Sequence, residues 1–351
     1  MATPFKVDWS DEAFDALKAR VRSYRLPDQP DDSDWSYGCD PQTLRELCAY
    51  WVDRYDVDAM VRDLNCFPQF TMEIDGLRLH FVHVRGEAEG KRPLLLIHGW
   101  PGSTYEFWPA VEALAFPSRN GGRAEDAFDL VVPSLPGYGF SAKPNQPISP
   151  RRIGALFNAL MREVLGYDRY LVHGTDWGVV IGPWMALDQA NSIRGLHIDY
   201  LGTVPEDAPQ DDTERRWMQQ FADYEKRLGA YSHLQSTRVQ SLAYAMHNNP
   251  VAQAAWLLER FHDWADLGER YGGRHRAGIG LPAISTCLPS IVQVEGNSRQ
   301  ICRFWGGISR QFAALESTAM TARCINRFSR HRPGEPRRYP QAPAVPLSIV
   351  V

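Results

Sequence analysis

Three short apolar runs in this chain each end in a glycine-rich turn, and that recurrence constrains the fold more than any other feature. Leu94 to Ile97 runs into His98-Gly99-Trp100-Pro101-Gly102-Ser103. A second run ends in Pro133-Ser134-Leu135-Pro136-Gly137-Tyr138-Gly139-Phe140-Ser141, and a third in Val172-His173-Gly174-Thr175-Asp176-Trp177-Gly178. Short apolar runs bounded by Gly and Pro, alternating with stretches of helical spacing, read as strands buried on both faces of a parallel sheet. The pattern predicts strands near 93–97, 129–133, 169–173 and 194–199.

Upstream, alternating segments between Phe70 and Val84 flank Asp75-Gly76, a hairpin signal. Asp40 followed by Pro41 starts a helix whose Leu44, Leu47, Cys48, Trp51, Val52 and Tyr55 recur along one face. An earlier helix from near Ser10 carries a narrower stripe of Phe14, Leu17 and Val21, and the Pro-rich stretch Leu26 to Pro30 separates the two. Together they make a helical preamble. Between Val204 and Trp264 the spacing is helical with no strand, as expected of a cap inserted over an α/β sheet. The fold class is therefore α/β, a mostly parallel sheet with helices on both faces, a helical cap and an N-terminal helical extension.

A chain of 351 residues, 44% hydrophobic and 11% aromatic, can bury one full α/β core with extensions. Its formal charge of -4, with no block of like charges, excludes a nucleic-acid grip and suits a small uncharged substrate. The six cysteines at 39, 48, 66, 287, 302 and 324 make no CxxC and no metal spacing, which suits a reducing compartment and structural thiols. The opening MATPFKVDWSDEAF has neither a basic n-region nor an apolar h-region, so a cytoplasmic location without a membrane anchor is expected. Residues 271–351 stand apart, with eleven Arg and three Glu, a formal +8 set against the chain's overall -4. A switch of that kind marks either a basic tail or a stretch read in a shifted frame, and both readings stay open.

The third turn has the shape of a nucleophile elbow, Gly-x-nucleophile-x-Gly, with Asp176 in the nucleophile's place. The strained strand-to-helix corner leaves no room for a Cβ at the flanking positions, and it lifts the central side chain out of the sheet. Taken alone, a glycine-rich turn with an N-capping Asp is an equal reading. The two other turns shift the balance. His98 to Ser103 follows the strand after which such enzymes place a backbone N–H for an oxyanion, and order and spacing both fit.

Through HGWPGS, PSLPGYGFS and the DWG elbow the chain resembles the epoxide hydrolases of the microsomal and juvenile-hormone type. RLPD, DWSYG and LNCFPQFTMEIDGLRLHFVHVRGE resemble that family's N-terminal region, and GAYSHLQSTRVQSLAYAMHNNPVAQAAWLLERFHDW its cap, so the likeness runs from residue 4 to about 265. The resemblance implies the α/β-hydrolase fold, divided into an N-terminal region (1–90), the first half of the core (91–203), a cap (204–270), an altered second half (271–332) and a Pro-rich tail (333–351). It also implies a mechanism: a carboxylate attacks an epoxide carbon to form an alkyl ester while cap tyrosines hydrogen-bond the ring oxygen, and water then opens the ester to a vicinal diol. Asp suits the first step because it is ionised at neutral pH and needs no activating base. Ester hydrolysis needs a base for water and N–H donors for the oxyanion. The donors implied are the backbone groups of Trp100 and Trp177, and Tyr231 matches the first cap tyrosine. The family's histidine is expected where this chain has Gln311, which cannot take a proton from water. Near the expected acid stands Ile291, with Glu295 as the candidate replacement, and Tyr271 is a weak stand-in for a second tyrosine. No cofactor and no metal is implied. The partners implied are a small apolar epoxide and water, with no nucleic acid and a homodimer left open. Two alternatives accompany this reading: a haloalkane dehalogenase-like hydrolase, since those enzymes also follow the elbow Asp with Trp, and a degenerate homologue that binds or traps hydrophobic epoxides.

Overall fold

The computed structural model describes residues 2–31, 34–90, 92–200, 208–264 and 349–350. Its centre is the parallel set the apolar runs predict: β4 (Arg92–Ile97), β5 (Phe128–Pro133), β6 (Tyr170–Gly174) and β7 (Ile193–Ile198). β4 lies between β5 and β6, parallel to both, and β7 extends the parallel run beyond β6. Within these strands Leu95, Leu130, Val131 and Tyr170 have no exposed surface. Side chains pointing to either face are covered, as a two-sided parallel sheet requires.

The hairpin forms β2 (Gln69–Ile74) and β3 (Leu77–Val84), joined by Asp75 (φ 49°) and Gly76 (φ 72°). Two consecutive left-handed residues make the tight turn whose twist matches that of the strands. β3 then pairs antiparallel with β5, joining the hairpin to the parallel set. The eight-stranded order is β1 (Thr3–Phe5)-β2-β3-β5-β4-β6-β7-β8, with a two-residue β8 (Ile349–Val350) antiparallel to β7.

The preamble begins differently from the helical expectation. Thr3–Phe5 forms a short strand, β1, paired with β2 through Thr3 and Thr71. Three residues are too few for alternation to register. The helices α1 (Asp11–Ser23) and α2 (Pro41–Asp53) start where expected, the Ser10 hydroxyl and the Asp40 carboxylate accepting from Ala13 N and Thr43 N. A further short helix, α3 (Val57–Leu64), starts at Asp56, whose carboxylate accepts from Ala59 N.

The helices α4 (Trp108–Ala115), α5 (Pro150–Ala159) and α6 (Trp177–Asp188) belong to the core, and α7 (Asp212–Leu228), α8 (Ala230–Thr237), α9 (Val239–Met246) and α10 (Pro250–Trp264) make the cap. The cap does not rest on the sheet alone. Leu257 and Leu258 of α10 share one core with Phe14, Leu17, Leu47 and Trp51 of α1 and α2. Burying each such side chain contributes about 1.5–3 kcal/mol. His262 of α10 stacks on Trp35, ring centres 3.8 Å apart, so the N-terminal region holds the cap from below. Among the described residues no helix is long and apolar enough to cross a membrane.

Candidate active site

β5, β4 and β6 are neighbours, and the three glycine-rich turns leave their carboxyl ends side by side. In an open α/β sheet that edge is where ligands bind. Ile97 lies opposite Gly174 in the β4–β6 register, so the oxyanion-type loop and the elbow leave the sheet at the same level.

Asp176 stands at the corner between β6 and α6 with φ 43° and ψ -108°. A non-glycine residue held there costs of order 1–3 kcal/mol and persists only where its surroundings over-determine it. They do so here. Thr175 N donates to Ile97 O at 3.0 Å, and a Cβ on Gly178 would lie 2.5 Å from the same carbonyl oxygen. Only glycine lets α6 approach β4 this closely. Asp176 occupies the N-cap position of α6, but its carboxylate makes no capping hydrogen bond into the helix's first turn. It turns instead to the neighbouring loop, where Trp100 N donates to Oδ1 at 2.7 Å. The Trp177 backbone N–H also bonds the carboxylate. Gly99 lies against it so tightly that a Cβ would sit 1.9 Å from Oδ1. Burial pushes the Asp176 carboxyl up to about 6 against the pull of the two N–H groups, with Asp199 raising it further.

Tyr231 of α8 comes down over this loop. Its ring stacks on Trp100 with centres 5.3 Å apart and planes at 11°, and Trp264 meets it edge-on. The buried Arg260 guanidinium covers the ring, 5.1 Å from its centre. Burial and a hydrogen bond to Tyr224 hold the Tyr231 phenol above its ordinary range, and the Asp176 charge adds to both. The structure thus brings together Asp176, Trp100, Trp177 and Tyr231. Glu295 and Gln311 lie outside the described residues, as do Tyr271 and Ile291.

Several polar groups at this edge were not singled out by spacing. The Tyr138 phenol is raised well above its ordinary range, first by burial and then by the Asp176 charge. Glu106 Oε1 accepts from Thr175 Oγ1 at 2.8 Å, one residue before the elbow carboxylate. The protein packed around Glu106 raises its carboxyl above the ordinary carboxylate range; the Thr175 bond opposes this and the charges of Asp176 and Asp199 reinforce it. His173 and His197 are occupied with each other, Nδ1 to Nδ1 at 2.7 Å, as packed strand imidazoles. Among the described residues no cluster of His, Cys, Asp or Glu is arranged to hold a metal ion.

Comparison with known proteins accords with this geometry. Residues 2–107 match the epoxide hydrolase N terminus and residues 92–251 the alpha/beta hydrolase fold. A putative epoxide hydrolase of Stigmatella aurantiaca is 38% identical over 268 residues, 75% of this chain and 61% of that protein. The chain is similar to epoxide hydrolases over three-quarters of its length. Epoxide hydrolase 1 of Sus scrofa is 31% identical over 75% of this chain and 63% of its own length. The crystal structure of juvenile hormone epoxide hydrolase from the silkworm Bombyx mori superposes with a TM-score of 0.77 at 26% identity, covering 90% of this chain and 79% of that one. The chain spans about three-fifths of the length of the curated relatives it matches. Its α/β-hydrolase fold is shared with theirs.

Proposed function

We propose that this chain opens a small apolar epoxide to a vicinal diol through an alkyl ester on Asp176. The observation that carries the reading is the carboxylate itself, out of regular backbone and held by the Trp100 N–H at 2.7 Å. A carboxylate fixed in that way is pre-oriented, and little freedom remains to be lost when it attacks. One oxygen attacks a ring carbon, the C–O bond breaks, and the ring oxygen takes a proton from Tyr231, whose ring is fixed between Trp100, Trp264 and Arg260. In the second step water adds to the ester carbonyl. The N–H groups of Trp100 and Trp177 then stabilise the oxyanion, which carries more charge than the ester and so gains more from the same donors.

The division of labour proposed is an N-terminal region (1–90) carrying the cap (204–270), with the core in two parts (91–203 and 271–332) and a tail (333–351). The proposed partners are the epoxide and water, and the proposed location is cytoplasmic. Denaturing mass spectrometry after exposure to styrene oxide tests the reading. The wild-type chain should gain one adduct mapping to Asp176, and Asp176→Asn should gain none. An adduct of equal yield on the Asn variant would end the assignment.

A further inference from the structure

The ester on Asp176 needs a base to take a proton from the attacking water. Histidines at the described edge are committed elsewhere. His98 is buried, its Nε2 accepts from Leu135 N and its Nδ1 bonds Gly99 O, while His173 pairs with His197. Asp199 is within electrostatic reach of Asp176, but its Oδ1 is buried away from solvent and from any hydrogen-bond donor. Glu106 differs from all of these. The residue keeps solvent-accessible surface, so water can reach it, and because the protein around the carboxyl raises it to about 8 it acts as a base in its ionised form, above that pH. Oε1 is fixed by the Thr175 hydroxyl, next in sequence to Asp176. Oε2 lies against the loop that holds Asp176, where a Cβ on Gly102 would come within 2.0 Å of it. Gly99 and Gly102 thus let one loop lie against both carboxylates.

We propose that Glu106 is the general base that activates water against the Asp176 ester. The inference rests on Asp176 being the nucleophile. Water donates its proton to the Glu106 carboxylate as its oxygen bonds to the Asp176 carbonyl carbon, and the carbonyl electron pair moves onto the oxygen facing Trp100 and Trp177. Collapse breaks the bond to the alkyl oxygen. The leaving alkoxide takes the proton of the newly formed Asp176 carboxylic acid, and the proton held by Glu106 returns through solvent to the Tyr231 phenolate. The sum is epoxide plus water giving diol.

Glu106→Gln separates this role from a structural one, because the amide oxygen still accepts from Thr175 but the side chain can no longer take a proton. With styrene oxide as probe, the rates of adduct formation and loss at Asp176 are followed by quenched-flow mass spectrometry. Adduct formation in Glu106→Gln should match wild type, which also reports an intact fold, and adduct loss should slow by about 10²- to 10⁴-fold. Loss at the wild-type rate in Glu106→Gln, or adduct trapping by Asp199→Asn in its place, would overturn the proposal. An Asp176 adduct in neither wild type nor Glu106→Gln would overturn the nucleophile assignment and this inference with it. The two failures are distinguished by whether the adduct forms at all.

Discussion

At the scale of single residues, the proposed nucleophile Asp176 has to be ionised to attack, yet it stands where burial favours the neutral acid. The two backbone N–H groups resolve this in part by bonding the charged form, and the result is a carboxyl at about 6 against an ordinary value near 4. The sign for activity follows directly. Adduct formation should be full above about pH 7 and fall as pH drops through about 6, ten-fold for each unit below it. A single-turnover rate measured between pH 4.5 and about 8 checks this, and a rate still maximal at about pH 5 would show that the N–H donors outweigh burial. Gly99 sets a second demand, because its missing side chain is what admits the carboxylate. With a Cβ only 1.9 Å from Oδ1, Gly99→Ala must displace either the loop or Asp176. A displacement near 1 Å costs about 10²-fold in such reactions. The adduct rate should fall by that order while the circular dichroism spectrum of the folded chain is unchanged.

At the scale of elements, the central strands and the elbow were legible because burial on both faces leaves continuous apolar runs, and glycine marks each corner where backbone comes too close for a Cβ. The helices α1 and α2 were legible through their caps and spacing. The strand β1 and the helix α3 were not, being too short to show a period. The pair Thr175–Glu106 was not legible for another reason. It joins segments that only the tertiary fold brings together, Glu106 and Thr175 being 69 residues apart, and local spacing carries no record of such a contact. The support of the cap by the N-terminal helices is of this kind too. Leu257, 3% exposed, lies in the core shared by α10 with α1 and α2. Leu257→Ala should therefore destabilise the chain by about 2–5 kcal/mol, read from the denaturation midpoint. The loss should be matched by weaker protection of α8 and α10 in hydrogen exchange, since α10 carries Arg260 against the Tyr231 ring. Uniform protection with an unchanged midpoint would show that the cap does not depend on this seam.

At the scale of the whole molecule, every group proposed for the first half-reaction comes from two places: the carboxyl edge of the parallel sheet and one face of the cap. The second half-reaction draws on a base, and the position where the family resemblance places a histidine holds Gln311. Attack and water activation draw on different groups, Asp176 and the proposed base Glu106, so the two steps should run at different rates. Mixing the chain with excess styrene oxide should give a fast phase of roughly one ester per active site, followed by slower steady release of diol, the kinetic signature of an accumulating covalent intermediate. On the family resemblance, Gln311→His with Glu295 holding the imidazole in the right tautomer should leave the fast phase unchanged and quicken the slow one, because a general base acts on water and not on the proposed attack by Asp176. The same substitution placed in Glu106→Gln should restore release, since either base suffices to deprotonate one water. Rapid multiple turnover by the wild-type chain with no detectable ester would mean that water is activated as fast as Asp176 attacks, and the separation of the two rates would fail.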